Sequence, residues 1–173
     1  MQAVPPRAIE HLVDAARACA AWPGRAGLDG DALRAWPEWA LTAQRATLDA
    51  RVLRAGALRH ADALRACIDG PLLQAANEVL GRETLVALLQ GQAPRVPQLA
   101  ALPGADALAG AWRAAGCALL LASVEAAALR GALCAHLAWP GDVDPDIAPA
   151  DLAAPVAWAL GAAAGAELSA AAA

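Results

Sequence analysis

Apolar residues recur at helical spacing along almost the whole chain, and the polar residues between them mark where helices start and stop. The plainest stretch runs from Ala57 to Leu89, ALRHADALRACIDGPLLQAANEVLGRETLVALL. Leu58, Ala61, Leu64 and Ile68 fall at helical spacing, and Asp69-Gly70-Pro71 stops that helix and starts another. Leu72, Leu73, Ala76, Val79 and Leu80 form the next apolar stripe, which Gly81 ends before a third short helix.

The same signals extend to both sides. Pro5 and Pro6 suit the first turn of a helix whose Ile9, Leu12, Val13, Ala16 and Ala20 mark one face, and Trp22-Pro23-Gly24 ends it. Asp29 can cap a short segment containing Leu33. Trp36-Pro37-Glu38-Trp39 then opens a helix with Pro37 at its first position, and its two tryptophans share a face. Leu48, Val52 and Ala55 continue that face while Arg45, Asp49, Arg51 and Arg54 point elsewhere, with Gly56 as a break. Residues 91–104, rich in Gly and Pro, read as a linker. The long segment from Ala105 to Leu137 holds Gly110, Gly116 and Gly131, each about 1 kcal/mol worse than alanine inside a helix, so close helix contact or a local break is expected there. Trp139-Pro140-Gly141 closes it, and Asp142, Asp144, Asp146 and Asp151 form an acidic connection to a last helix. Alternating strand-type runs are absent. The expected fold is all-α, a compact single-domain bundle of about six to eight helices. An arginine-bearing half (1–90) and an alanine-rich half (105–173) join through the 91–104 linker.

Composition narrows the function classes. At 173 residues the chain can bury roughly two thirds of its unfolded surface in one core. Much of the apolar 59% is alanine, so Leu, Val, Ile and Trp must carry the packing. All 13 positive charges are arginines, a bias typical of a GC-rich bacterial genome, and the net charge is −4. Everything after Arg130 carries five acids and no base, which argues against a nucleic-acid partner. Arg7, Glu10, His11, Asp14 and Arg17 leave no uninterrupted apolar core for a secretory signal, and a cytoplasmic location follows as the expectation. The longest uncharged run inside 105–139 is 11 residues, against the roughly 20 needed to span a bilayer. The run 152–166 contains the close-packing spacing Gly161-Ala-Ala-Ala-Gly165 but is also too short.

Candidate chemistry is thin. Cys19, Cys67, Cys117 and Cys134 sit in helical patterns without disulfide-framework spacing and read as reduced, buried thiols. Cys134 with His136, joined by Cys117 or Cys67, is the best metal candidate, but residues two apart diverge on a helix. Ser123 lies in no nucleophile elbow and is expected to bond back to its helix. Cys67 and His60 are two turns apart, poor spacing for a thiol–imidazole pair. No cofactor, metal or catalytic residue is assigned. The polar feature of most interest is the series Arg45, Arg51, Arg54, Arg59 and Arg65 with His60; Asp62 and Asp69 lie at pairing distance from Arg59 and Arg65, while Arg51 and Arg54 lack obvious partners.

The order Trp-Pro-x-Trp, an Arg- and Leu-rich helix, Ile68-Asp69-Gly70 and Leu80-Gly81 resembles the SctK/YscK family, accessory proteins of the bacterial type III secretion sorting platform. The likeness covers about Trp36 to Leu89. It implies a non-enzymatic, all-helical cytosolic adaptor linking the inner-membrane ring to the pod protein, peripheral to the membrane through protein contacts only. An adaptor of this kind is expected to bind an acidic partner through Trp36, Trp39, Arg51, Arg54 and Arg59, although in a chain without Phe or Tyr the tryptophans are also the natural core fillers. A small helical enzyme or redox-active protein using Cys or His, and a chaperone or anti-activator for a helical client, are the alternatives.

Overall fold

The computed structural model describes residues 10, 13–14, 16–17, 31, 34–37, 39–40, 45–99, 101–125, 127–139 and 152–161. Among these the protein is all-α: seven α-helices and one 3-10 turn, with no strand. They are α1 (Arg45–Leu58), α2 (Ala61–Arg65), α3 (Gly70–Leu80), α4 (Arg82–Leu89), α5 (Leu108–Ala122, led in by the 3-10 turn Ala105–Ala107), α6 (Ala127–Leu137) and α7 (Ala153–Ala159). The Pro5–Pro6 helix start, Trp22-Pro23-Gly24, Cys19, the Asp29 cap, Glu38 and the acidic connection 142–151 lie outside the described residues. Val13 and Ala16, expected on the apolar face of the first helix, are exposed.

Two compact units divide the chain, residues 1–48 with 124–143 and residues 49–123 with 144–173. The 91–104 segment falls inside the second unit and is no boundary between them.

In the second unit the core is set by a crossing of α1 and α5. Val52, Ala55, Leu58, Leu108, Trp112, Leu119 and Leu120 are buried there, each large aliphatic side chain stabilising by roughly 1.5–3 kcal/mol. The helices meet through two glycines. A Cβ on Gly56 would land on the Trp112 carbonyl and lie 2.7 Å from the Trp112 Cα. One on Gly116 would strike the Val52 carbonyl and lie 2.9 Å from the Gly56 nitrogen. Only hydrogen atoms fit between these backbones. Gly56 is therefore no break, and α1 runs through it to Leu58; Gly110, by contrast, faces open space. By length and composition 105–122 is the one described stretch apolar enough to cross a bilayer, and α1 occupies its glycine face.

The break after α1 falls at Arg59 and His60, and the supposed linker is what holds it. Residues 92–99 form a strap with Ala93 and Val96 buried. The Gln98 side chain donates to Leu58 O (3.1 Å) and accepts from the Asp62 N–H (3.1 Å). One carboxamide thus satisfies the end of α1 and the start of α2, whose N-cap His60 makes no capping bond of its own. The Leu99 N–H donates to Arg59 O at 2.6 Å, tying the strap down again.

Beyond α2 the punctuation behaves as its chemistry dictates. Asp69 accepts the Leu72 N–H at 3.3 Å as the N-cap of α3, with Pro71 in the first turn. Gly81, at φ +79, lets the chain leave α3 and enter α4. Ile68 departs from the reading. Leu58, Ala61 and Leu64 are buried, but α2 stops at Arg65, so Ile68 leaves the stripe and stands 98% exposed.

In the first unit Trp36 is buried and its ring meets the His136 imidazole edge-on (6.1 Å, 73°), while Trp39 stacks on Trp139 (5.9 Å, 16°). The two tryptophans thus take different partners. Arg130 donates to the carbonyls of Val124 (2.7 Å) and Glu125 (3.1 Å), bracing the approach to α6. At the other end of α6, Ala138 takes φ +54 so that the Trp139 N–H can reach Cys134 O at 2.9 Å.

Candidate functional site

The five residues expected to bind a partner do not share one role. Trp36, 2% exposed, and Arg59, 8% exposed, are removed from any contact surface by burial. Arg59 is drawn inward because it sits at the α1–α2 break, where its Nε donates to Pro97 O at 3.3 Å and anchors the strap. Trp39 is half-buried in its stack with Trp139. Arg51 and Arg54, one turn apart on α1, are half-buried and belong to the second unit, whereas the tryptophans belong to the first.

Arg54 lines a cleft of ≈ 270 Å³ within the second unit. Glu83, Thr84 and Ala87 supply one face of α4, and Trp158 and Gly161 supply the end of α7. Gly161 terminates α7 at φ +63, and a Cβ there would lie 2.6 Å from Arg54 Nη1. The missing side chain is what lets the guanidinium rest against the backbone. Among the described residues Arg54 and Glu83 form no ion pair, with each other or with any other side chain. The α4 N-terminus beside them has no side-chain cap.

The Ala66–Gly70 turn is the second feature that faces outward. Asp62 pairs with Arg65, and Arg65 Nε donates to Leu88 O at 2.9 Å, so α2 is fastened to α4 behind the turn. The Cys67 N–H donates to Leu64 O (3.1 Å), and Asp69 caps α3. Ile68 is held on a braced turn with its whole side chain in solvent.

The groups considered for catalysis or metal binding are placed differently. His60 is buried, its Nδ1 3.2 Å from Gly56 O. Burial pushes its pKa down; the carbonyl partly opposes this, and the neighbouring Arg59 charge adds to it. The imidazole is therefore neutral with its proton on Nδ1. No hydrogen bond joins it to Cys67, whose thiol faces Asp69 O at 3.9 Å. Burial pushes the Cys134 thiol up, disfavouring thiolate. His136 lies against Trp36, and no group of three or more His, Cys, Asp or Glu able to hold a metal occurs among the described residues. The Ser123 hydroxyl donates to Leu120 O at 2.6 Å, the back-bond its sequence context predicts.

Compared with models of protein families, with curated proteins and with solved structures, the chain matches none. Its geometry alone therefore informs the functional reading beyond the motif resemblance. The sequence reading missed the exposure of Ile68, the bridging role of Gln98 and the residues that share the cleft with Arg54. A signal for the first was present in Asp69-Gly70-Pro71, since a cap and a proline force the preceding residues out of the helix.

Proposed function

We propose that this chain is a non-enzymatic, cytoplasmic adaptor of a bacterial type III secretion system, joining the inner-membrane ring to the pod protein of the sorting platform. The observation that carries the reading is Ile68, an isoleucine 98% exposed at the head of Ile68-Asp69-Gly70, one of the motifs on which the resemblance rests. Burying such a side chain against a partner is worth roughly 1.5–3 kcal/mol, and the braced turn means little ordering entropy opposes it. Arg51, half-buried on α1, offers a second contact toward an acidic surface. A Cys/His enzyme finds less support, with His60 sealed in the core and the Cys134 thiol held protonated.

The test is co-purification of the full chain with the ring and pod proteins, comparing Ile68→Asp and Arg51→Glu with wild type. Ile68→Asp is expected to weaken capture of one partner by about tenfold or more, as loss of 1.4 kcal/mol or greater implies. Undiminished capture of both partners by Ile68→Asp would remove this turn as the docking element and with it the main support for the adaptor reading.

A further inference from the structure

We propose that the cleft between α1, α4 and α7 binds a hydrophobic α-amino acid as its zwitterion, its carboxylate on Arg54, its ammonium on Glu83 and its side chain against Trp158 and Ala87. The cleft draws its lining from three stretches far apart in sequence, around residues 54, 83–87 and 158–161, so its composition is a product of the fold. Arg54 and Glu83 present opposite charges to one small space without pairing. A ligand carrying both charges satisfies each of them, whereas a simple anion meets the Glu83 carboxylate and a simple cation meets the Arg54 guanidinium. Phosphate esters and nucleotides are disfavoured on the same ground.

Arg54 is also placed. Gly161 has no Cβ to displace Nη1, and its positive φ turns the chain away just past Trp158. A planar guanidinium so held matches the two oxygens of a carboxylate better than a mobile ammonium would. Thr84 adds a residue with a hydroxyl donor and acceptor to the lining, and Trp158 and Ala87 are its apolar members. At ≈ 270 Å³ the cleft lies just below the roughly 300–1,000 Å³ of drug-sized sites, which suits a ligand of leucine's size. The inference is independent of the adaptor reading, since it concerns a small molecule and the isolated chain.

Calorimetric titration of the full chain with L-leucine tests it, beside L-leucinamide, which lacks the carboxylate, and N-acetyl-L-leucine, which lacks the ammonium. L-Leucine is expected to bind with a dissociation constant of about 1 mM or below, and each derivative about tenfold more weakly or worse. Arg54→Met and Glu83→Gln are each expected to weaken L-leucine about tenfold; both side chains lie outside the core, and a thermal melt matching wild type shows that each variant folds. Absence of saturable binding by L-leucine and L-phenylalanine would overturn the proposal. So would equal affinity for the amide and the acid, or binding that survives both substitutions unchanged.

Discussion

The α1–α5 crossing and the Ala66–Gly70 turn belong to the same compact unit, and each is built from small and aliphatic residues, yet they solve opposite problems. At the crossing, Gly56 and Gly116 give up their side chains so that α1 and α5 meet backbone to backbone beside the buried Val52 and Trp112. At the turn, a large apolar side chain is left in water. The first arrangement is dictated by folding and admits no substitution at two points. In the second, Asp69 caps α3 while the Ile68 side chain adds no packing to the core. The contrast separates residues that make the scaffold from those that the scaffold presents.

The sharpest way to break that contrast is to put a methyl group at the crossing. Gly116→Ala should destabilise the protein by about 3 kcal/mol or more, because the added Cβ collides with backbone atoms of α1 that cannot rotate away. Gly110→Ala in the same helix is the control. It meets open space, so the ordinary helix preference for alanine should apply and stability should rise by about 0.5–1 kcal/mol. Urea denaturation of both variants reads the difference. Equal effects at the two glycines would mean that the helices do not meet as described.

Those two glycines read alike in sequence, and this shows where legibility ends. Helix existence, the cap at Asp69 and the exit at Gly81 were all legible, because caps and left-handed turns are decided within four or five residues. Which glycine sits at a crossing is decided by a partner some sixty positions away, Val52 for Gly116, and no local signal carries it. Gln98 looked like part of a loose linker for the same reason, its acceptor and donor lying at Leu58 and Asp62. The Arg54 cleft takes Trp158 from the far end of the chain. Trp36 and Arg59, expected to meet a partner, are buried by residues distant in sequence, and no local signal carries that either.

A smaller effect is expected where the strap meets the α1–α2 break. Gln98→Ala leaves Leu58 O and the Asp62 N–H without their partner, which should cost about 1–2 kcal/mol by the same denaturation measurement. Amide exchange at Asp62 should speed up more than exchange in α5, since the loss is local. Uniform change across both helices would instead tie the strap to the crossing. The buried His60 beside it adds a pH dependence of definite sign. Its folded pKa lies below the usual 6.5, so the unfolded chain binds the proton more readily. Stability from this group is complete above about pH 6.5 and falls as the pH drops through that value toward the folded pKa. Comparing wild type with His60→Gln across pH 7 to 5 should show the acid-side slope reduced in the variant.

The smallest expected change in stability is at the turn, and it is the most informative because it is small. Ile68→Asp and Ile68→Ser should shift the unfolding free energy by no more than about 0.5 kcal/mol, since a side chain 98% exposed loses no packing when it is replaced. Asp69 keeps its cap on Leu72 in either variant, so α3 should start where it does now. A loss of 2 kcal/mol or so would instead show that Ile68 is covered within the chain in solution. The turn would then belong with the crossing, as part of the scaffold. With stability unchanged, any loss of partner capture in Ile68→Asp is a loss of contact and not of fold, and the same variant separates the two halves of the comparison.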